Sequence, residues 1–105
     1  MPKAAAKKSS RTKTSPYDVT KHLRSPKEMA AYLDAWLDEA PDDAAGIAGA
    51  LGNIARAKGM TQVAKDAGLS RESLYRALSA GGNPSFATVL KVAKALGVKL
   101  HAEAA

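Results

Sequence analysis

The sequence predicts an all-α protein of five helices, with a helix-turn-helix at its centre. Three observations predict it. Apolar residues recur at i, i+3, i+4 and i+7 in the longer segments, the spacing that lines one face of a helix. Ser or Asp precedes these segments and Gly follows several of them, the residues that cap helix starts and stops. Between residues 60 and 79 two short helical segments flank Gly68, whose missing Cβ suits a tight left-handed corner.

Each element can be justified in chain order. "YDVTKHL" reads as a short helical turn entering the fold. In "SPKEMAAYLDAWLDEA", Ser25 is the N-cap, Pro26 takes the first helical position and Glu28 completes a capping box. Met29, Tyr32, Leu33, Trp36, Leu37 and Ala40 form its apolar stripe, with Asp34, Asp38 and Glu39 away from it. The next helix should start near Asp42 or Asp43 and end before Gly59, with Ala44, Ile47, Leu51, Ile54 and Ala55 on one face. Gly46, Gly49 and Gly52 each weaken an isolated helix by about 1 kcal/mol relative to Ala, so close packing against a neighbour is expected there.

"TQVAKDAG" is a short helix ended by Gly68, and Ser70 caps a second one over Arg71 to Ser79. "SAGGNP" is a loop by composition. In "SFATVLKVAKALG", Ser85 is the N-cap and Gly97 the stop, with Phe86, Val89, Leu90, Ala93 and Leu96 as the expected buried face. "VKLHA" alternates apolar and polar, which predicts a short strand over 98–102. Such a strand has no partner inside an all-helical monomer, so a second chain of a homodimer would have to supply one.

The charge is uneven. The net +6 divides into five bases and no acid over residues 1–16, −4 over 17–45, and +5 over 46–105. Residues 1–16 hold too little apolar surface to offset the entropy of ordering, and are expected to be a disordered basic arm. Residues 17–105 then form one helical domain: an extension over 17–41, a core over 42–97 and a tail over 98–105. The basic half suits a polyanion such as nucleic acid, and the acidic stretch suits a basic protein. With no apolar run long enough to span a bilayer and no signal-peptide pattern, a cytoplasmic location is expected.

The constellation with the most chemical content is the corner itself. Val63, Ala64, Ala67, Leu69, Leu74 and Ala77 fall at inward positions of a helix-turn-helix. With Leu74 inward, a rotation of 100° per residue turns Glu72, Arg76 and Ser79 outward, flanked by Ser73 and Tyr75. Ser70 and Arg71 open that helix, where N–H groups and dipole favour phosphate oxygens. In a major groove Arg pairs with guanine and Glu accepts from cytosine. Thr61 and Gln62 begin the first helix, which crosses the DNA backbone in such motifs. The candidate DNA-binding set is therefore Thr61, Gln62, Ser70, Arg71, Glu72, Ser73, Tyr75 and Arg76.

Competing chemistries find little support. No motif joins His22 or His101 to a serine nucleophile, and no cysteine or histidine pair has metal-ligand spacing. Gly81-Gly82-Asn83 follows no strand and precedes no Gly-Lys-Ser, so it is not a phosphate loop. Neither an enzyme nor a cofactor is expected.

"ALGNIARAKGMTQVAKDAGLSRESLYRALSAGGNPSFATVLKVAKALGVKL" resembles the helix-turn-helix domain of the Cro/Xre repressor superfamily, which has a lambda-repressor-like fold. More narrowly, "MAAYLDAWLDEA" with "GLSRESLYRALS" and "NPSF" resembles the probable addiction module antidote family, the HigA-like antitoxins. The resemblance implies a dimer that binds a palindromic operator, represses its own operon and holds a RelE/HigB-like toxin ribonuclease inactive. Members often lie in prophage-like regions, and the alternative is a stand-alone prophage-type repressor with no toxin. One departure from many repressors is Ala77, where a larger aliphatic residue often stands; Phe86 is expected to fill that space.

Overall fold

The computed structural model describes residues 19–79 and 81–105. The basic arm expected over 1–16 lies outside the described residues. Five α-helices follow a 3-10 turn at Val19–His22: α1 at Pro26–Glu39, α2 at Ala44–Lys58, α3 at Met60–Ala67, α4 at Arg71–Ala77 and α5 at Phe86–Leu96. The all-α expectation holds. Among the described residues no strand forms, and 98–102 carries no ladder within the single chain.

The helix starts follow their caps. Ser25 Oγ accepts from the Glu28 N–H at 3.2 Å, while the Glu28 carboxylate accepts from the Arg24 N–H at 2.9 Å. The box therefore closes on the residue before the cap rather than on the cap's own N–H. Asp43 caps α2 through the Gly46 N–H at 2.8 Å, and Ser85 caps α5 through the Thr88 N–H at 3.1 Å.

α1 packs on α2, and α3 lies against α5 and α4, so the core sits between α2, α3 and α5. Ile54, Val63, Leu74, Val92 and Leu96 are its most enclosed large side chains. Gly52 lets α4 end directly on α2: a Cβ there would stand 2.7 Å from the Leu78 carbonyl oxygen. Gly49, by contrast, has no neighbour within 4 Å of such a Cβ, so only part of the glycine series serves packing. The Tyr32 hydroxyl accepts from Asn53 Nδ2 at 3.0 Å, tying α1 to α2.

Several expected core positions are not covered. Phe86 is 71% exposed and Leu90 46%, so the first turns of α5 present part of their apolar stripe to solvent. Phe86 does not fill the space beside Ala77. The backbone at Gly82 turns back over the end of α4 there, and a Cβ on Gly82 would collide with the carbonyl oxygens of Ala77 and Arg76. Leu37 is exposed and Trp36 half-buried, with the Trp36 ring so close over Gly46 that a Cβ there would stand 2.5 Å from Cζ3. Ala44, at the first position of α2, is exposed as well.

Candidate nucleic-acid interface

The corner is held by local geometry. Gly68 adopts φ 72°, the left-handed conformation that costs other L-residues roughly 1–2 kcal/mol. Its N–H donates to the Lys65 carbonyl at 3.1 Å, and the Leu69 N–H donates to the Ala64 carbonyl at 2.8 Å. These two bonds satisfy carbonyls that the end of α3 leaves open. Val63, Ala64 and Ala67 are buried, while Leu69 and Ala77 are half-buried against the same core.

Ser70 then starts α4 in extended backbone, accepting from the Ser73 N–H at 3.0 Å. Its hydroxyl also donates to Ser73 Oγ at 2.8 Å. Both serines are thus engaged in the cap, and Ser73 is half-buried. α4 is shorter than expected: the Leu78 N–H closes on the Leu74 carbonyl at 3.0 Å, and Ser79 Oγ donates to the Arg76 carbonyl at 3.1 Å. Helix geometry ends at Ala77 because Leu78 drops into the core beside Gly52.

Leu74 is 0% exposed, and this fixes the outward side of α4. Glu72 and Arg76 are exposed on it, and Arg71 and Tyr75 are exposed beside it. The Arg71 guanidinium sits 5.4 Å from the Tyr75 ring centroid, a cation–π arrangement that holds both side chains along the surface. Thr61 and Gln62 are exposed in the first turn of α3, and Gln62 Nε2 donates to Asp66 Oδ1 at 2.8 Å. The eight candidate residues therefore divide into four exposed side chains on α4, two cap serines and two at the start of α3.

Sequence reasoning passed over Arg56. Its guanidinium bonds Asn53 Oδ1. It also lies beside Gly52, where α4 ends, a place that suits a cation next to open helix carbonyls. The spacing Asn53 to Arg56 is i, i+3, so the pair was readable, but its position at the end of α4 is a tertiary fact.

His101 Nε2 lies 4.0 Å from Glu103 Oε1 in the tail. No group of three or more His, Cys, Asp or Glu among the described residues is arranged to hold a metal ion. No helix among them is long and apolar enough to cross a membrane.

The model of the probable addiction module antidote protein family matches residues 13–104, from before the 3-10 turn to the end of the tail. The chain belongs to that family. An uncharacterized protein of Haemophilus influenzae strain Rd is 52% identical over 87 residues, covering 83% of this chain and 88% of the relative. No solved structure matches the chain. Membership supports the role of an addiction module antidote, which in general has a toxin as its counterpart. The family match covers the acidic α1 region as well as the corner.

Proposed function

We propose that this antidote is a HigA-like antitoxin of the Cro/Xre helix-turn-helix type, which reads operator DNA through α4 and neutralises a RelE/HigB-like toxin. One observation carries the DNA reading: Leu74 is wholly enclosed while Arg71, Glu72, Tyr75 and Arg76 of the same short helix are exposed, with Glu72 and Arg76 on the side away from Leu74. A helix with that division fits a major groove, with arginines and a glutamate as base-reading groups. Thr61, Gln62, Ser70 and Ser73 serve as backbone contacts and as the cap that aims the helix. A palindromic operator calls for a homodimer with its two α4 helices about 34 Å apart, one turn of B-DNA.

The test is operator binding by the full chain. Arg76→Ala should cost about 1–3 kcal/mol of binding and relax base preference at one position. Arg71→Ala should also weaken binding, and affinity should fall steeply with salt as phosphate counterions are released. Unchanged affinity in both variants at physiological salt would sink the reading.

The toxin-facing surface is assigned to the acidic region over 28–43, where Asp34, Asp38, Asp42 and Asp43 are exposed. A ribonuclease that grips RNA is expected to be basic, and an acidic surface complements it. Asp34→Lys combined with Asp38→Lys should release toxin activity while operator binding persists. Full inhibition by that variant would reject the assignment.

A further inference from the structure

Arg56 stands beside the reading helix without a role in the surfaces assigned above. It is exposed near the end of α2, one turn beyond Gly52 on the same face. A Cβ on Gly52 would stand 2.7 Å from the Leu78 carbonyl oxygen and 3.5 Å from Arg56 Nη1, so the guanidinium and the end of α4 border one point. Arg76 is exposed in the last turn of that same helix. Two cations from different helices thus flank the end of α4.

The guanidinium is held from behind. Arg56 Nη2 donates to Asn53 Oδ1, and Asn53 Nδ2 donates to the Tyr32 hydroxyl at 3.0 Å. Arginine only donates, so the amide oxygen has to face it and the amide nitrogen has to face α1. The bonds then run in one direction, from Arg56 through Asn53 to Tyr32. Asn53 and Tyr32 are half-buried and Arg56 is exposed, so the anchored end lies inward and the charged end outward. Two features suit an anion. The acceptor is a neutral amide, which orients the guanidinium without cancelling its charge. The guanidinium carries five N–H donors, and the bond to Asn53 uses one of them. A planar fork fixed in this way can meet a phosphate at two oxygens. The rival role, a cation closing the end of α4, has less to do, because other groups already serve that end. The Arg76 carbonyl accepts from Ser79 Oγ at 3.1 Å, and the Ser79 carbonyl accepts from the Gly82 N–H at 2.8 Å.

We propose that Arg56 grips a DNA backbone phosphate at the rim of the groove that α4 enters, with Asn53 and Tyr32 as its positioning residues. α4 has seven residues, about 10 Å of helix at a rise of 1.5 Å per residue. A major groove is about 12 Å wide, so the end of such a helix lies close to a phosphate rim, on the side where Arg56 stands. The contact reads no base and fixes register, as phosphate contacts do. The inference rests on the DNA reading of α4 and adds to it a residue from outside the α3–α4 corner.

Salt-dependent binding by the full chain tests it, followed by anisotropy of two fluorescein-labelled duplexes. One duplex carries the DNA directly upstream of the chain's own coding sequence, and the other a scrambled sequence of equal length. Arg56→Met should weaken binding to both by the same factor, roughly tenfold at physiological salt. It should also lower the slope of log affinity against log salt by about 0.9, the value for one phosphate. Arg56→Lys should keep the slope and lose part of the affinity, because lysine keeps the charge without the fork. Tyr32→Phe should weaken binding in the wild-type background and have no effect in the Arg56→Met background, because it acts through Arg56. An arginine that only closed the end of α4 would change thermal stability in these variants and leave the slope where it was. An unchanged slope in Arg56→Met, or an equal effect of Tyr32→Phe in both backgrounds, would overturn the contact and leave the DNA reading standing. A wild type that binds neither duplex would remove the DNA reading and the contact together.

Discussion

The corner of α3 and α4 and the first half of α5 carry similar apolar stripes in different surroundings. At the corner the stripe is closed: Val63 and Leu74 are 0% exposed, with Leu78 and Ala67 almost as well covered. On α5 the stripe closes only from Val92 onward, and Phe86 and Leu90 stand open. Both helices are capped by serine and both obey the 3.6-residue period. The difference lies in what is opposite. The corner folds onto itself within about one helical hairpin, and α2 and α5 complete its walls. The start of α5 runs past that corner, and the backbone at Gly82 has already taken the space beside Ala77. A helical period states which residues share a face. It does not state that the same chain supplies the cover.

The comparison breaks first at Leu74. Leu74→Ala should cost about 2–5 kcal/mol of stability, the range for emptying an enclosed leucine site. It should also disperse the outward side chains of α4, because Leu74 anchors them. Urea unfolding followed by circular dichroism measures the first effect. A cost below 1 kcal/mol would mean the corner is as open as the start of α5.

A smaller effect sharpens the account of how the corner is aimed. Ser70→Ala removes the acceptor for the Ser73 N–H and the bond to Ser73 Oγ. The expected cost is about 1 kcal/mol, and Ser70→Asp should recover most of it. If Ser70→Ala is neutral, α4 is positioned by its core contacts alone.

The same contrast explains how much was legible in the sequence. The caps at Ser25, Ser70 and Ser85 and the left-handed stops at Gly68 and Gly97 were readable, because capping joins residues three or four apart. The exposure of Glu72 and Arg76 followed from helix geometry once Leu74 was placed inside, with Tyr75 at the flank and Arg71 at the helix start. What escaped depends on distant packing. The exposure of Phe86 and Leu37, the early end of α4 on Gly52, and the Tyr32–Asn53 bond across 21 residues all follow from where other elements lie. Ser73 Oγ accepts from Ser70 Oγ and Gln62 Nε2 donates to Asp66 Oδ1, so both side chains are partly committed within the chain.

The smallest expected effect tests the open end of the comparison. Phe86→Ala should change the stability of the monomer by no more than about 0.5 kcal/mol, the range of ordinary surface substitutions. Alanine suits the first turn of a helix, and a side chain 71% exposed leaves little cavity behind. The measurement belongs at the lowest workable protein concentration, because any ligand of the folded state, a second copy included, adds stability by mass action. A gap of 2 kcal/mol or more that is independent of concentration would mean Phe86 is enclosed by its own chain. The corner and the start of α5 would then be alike.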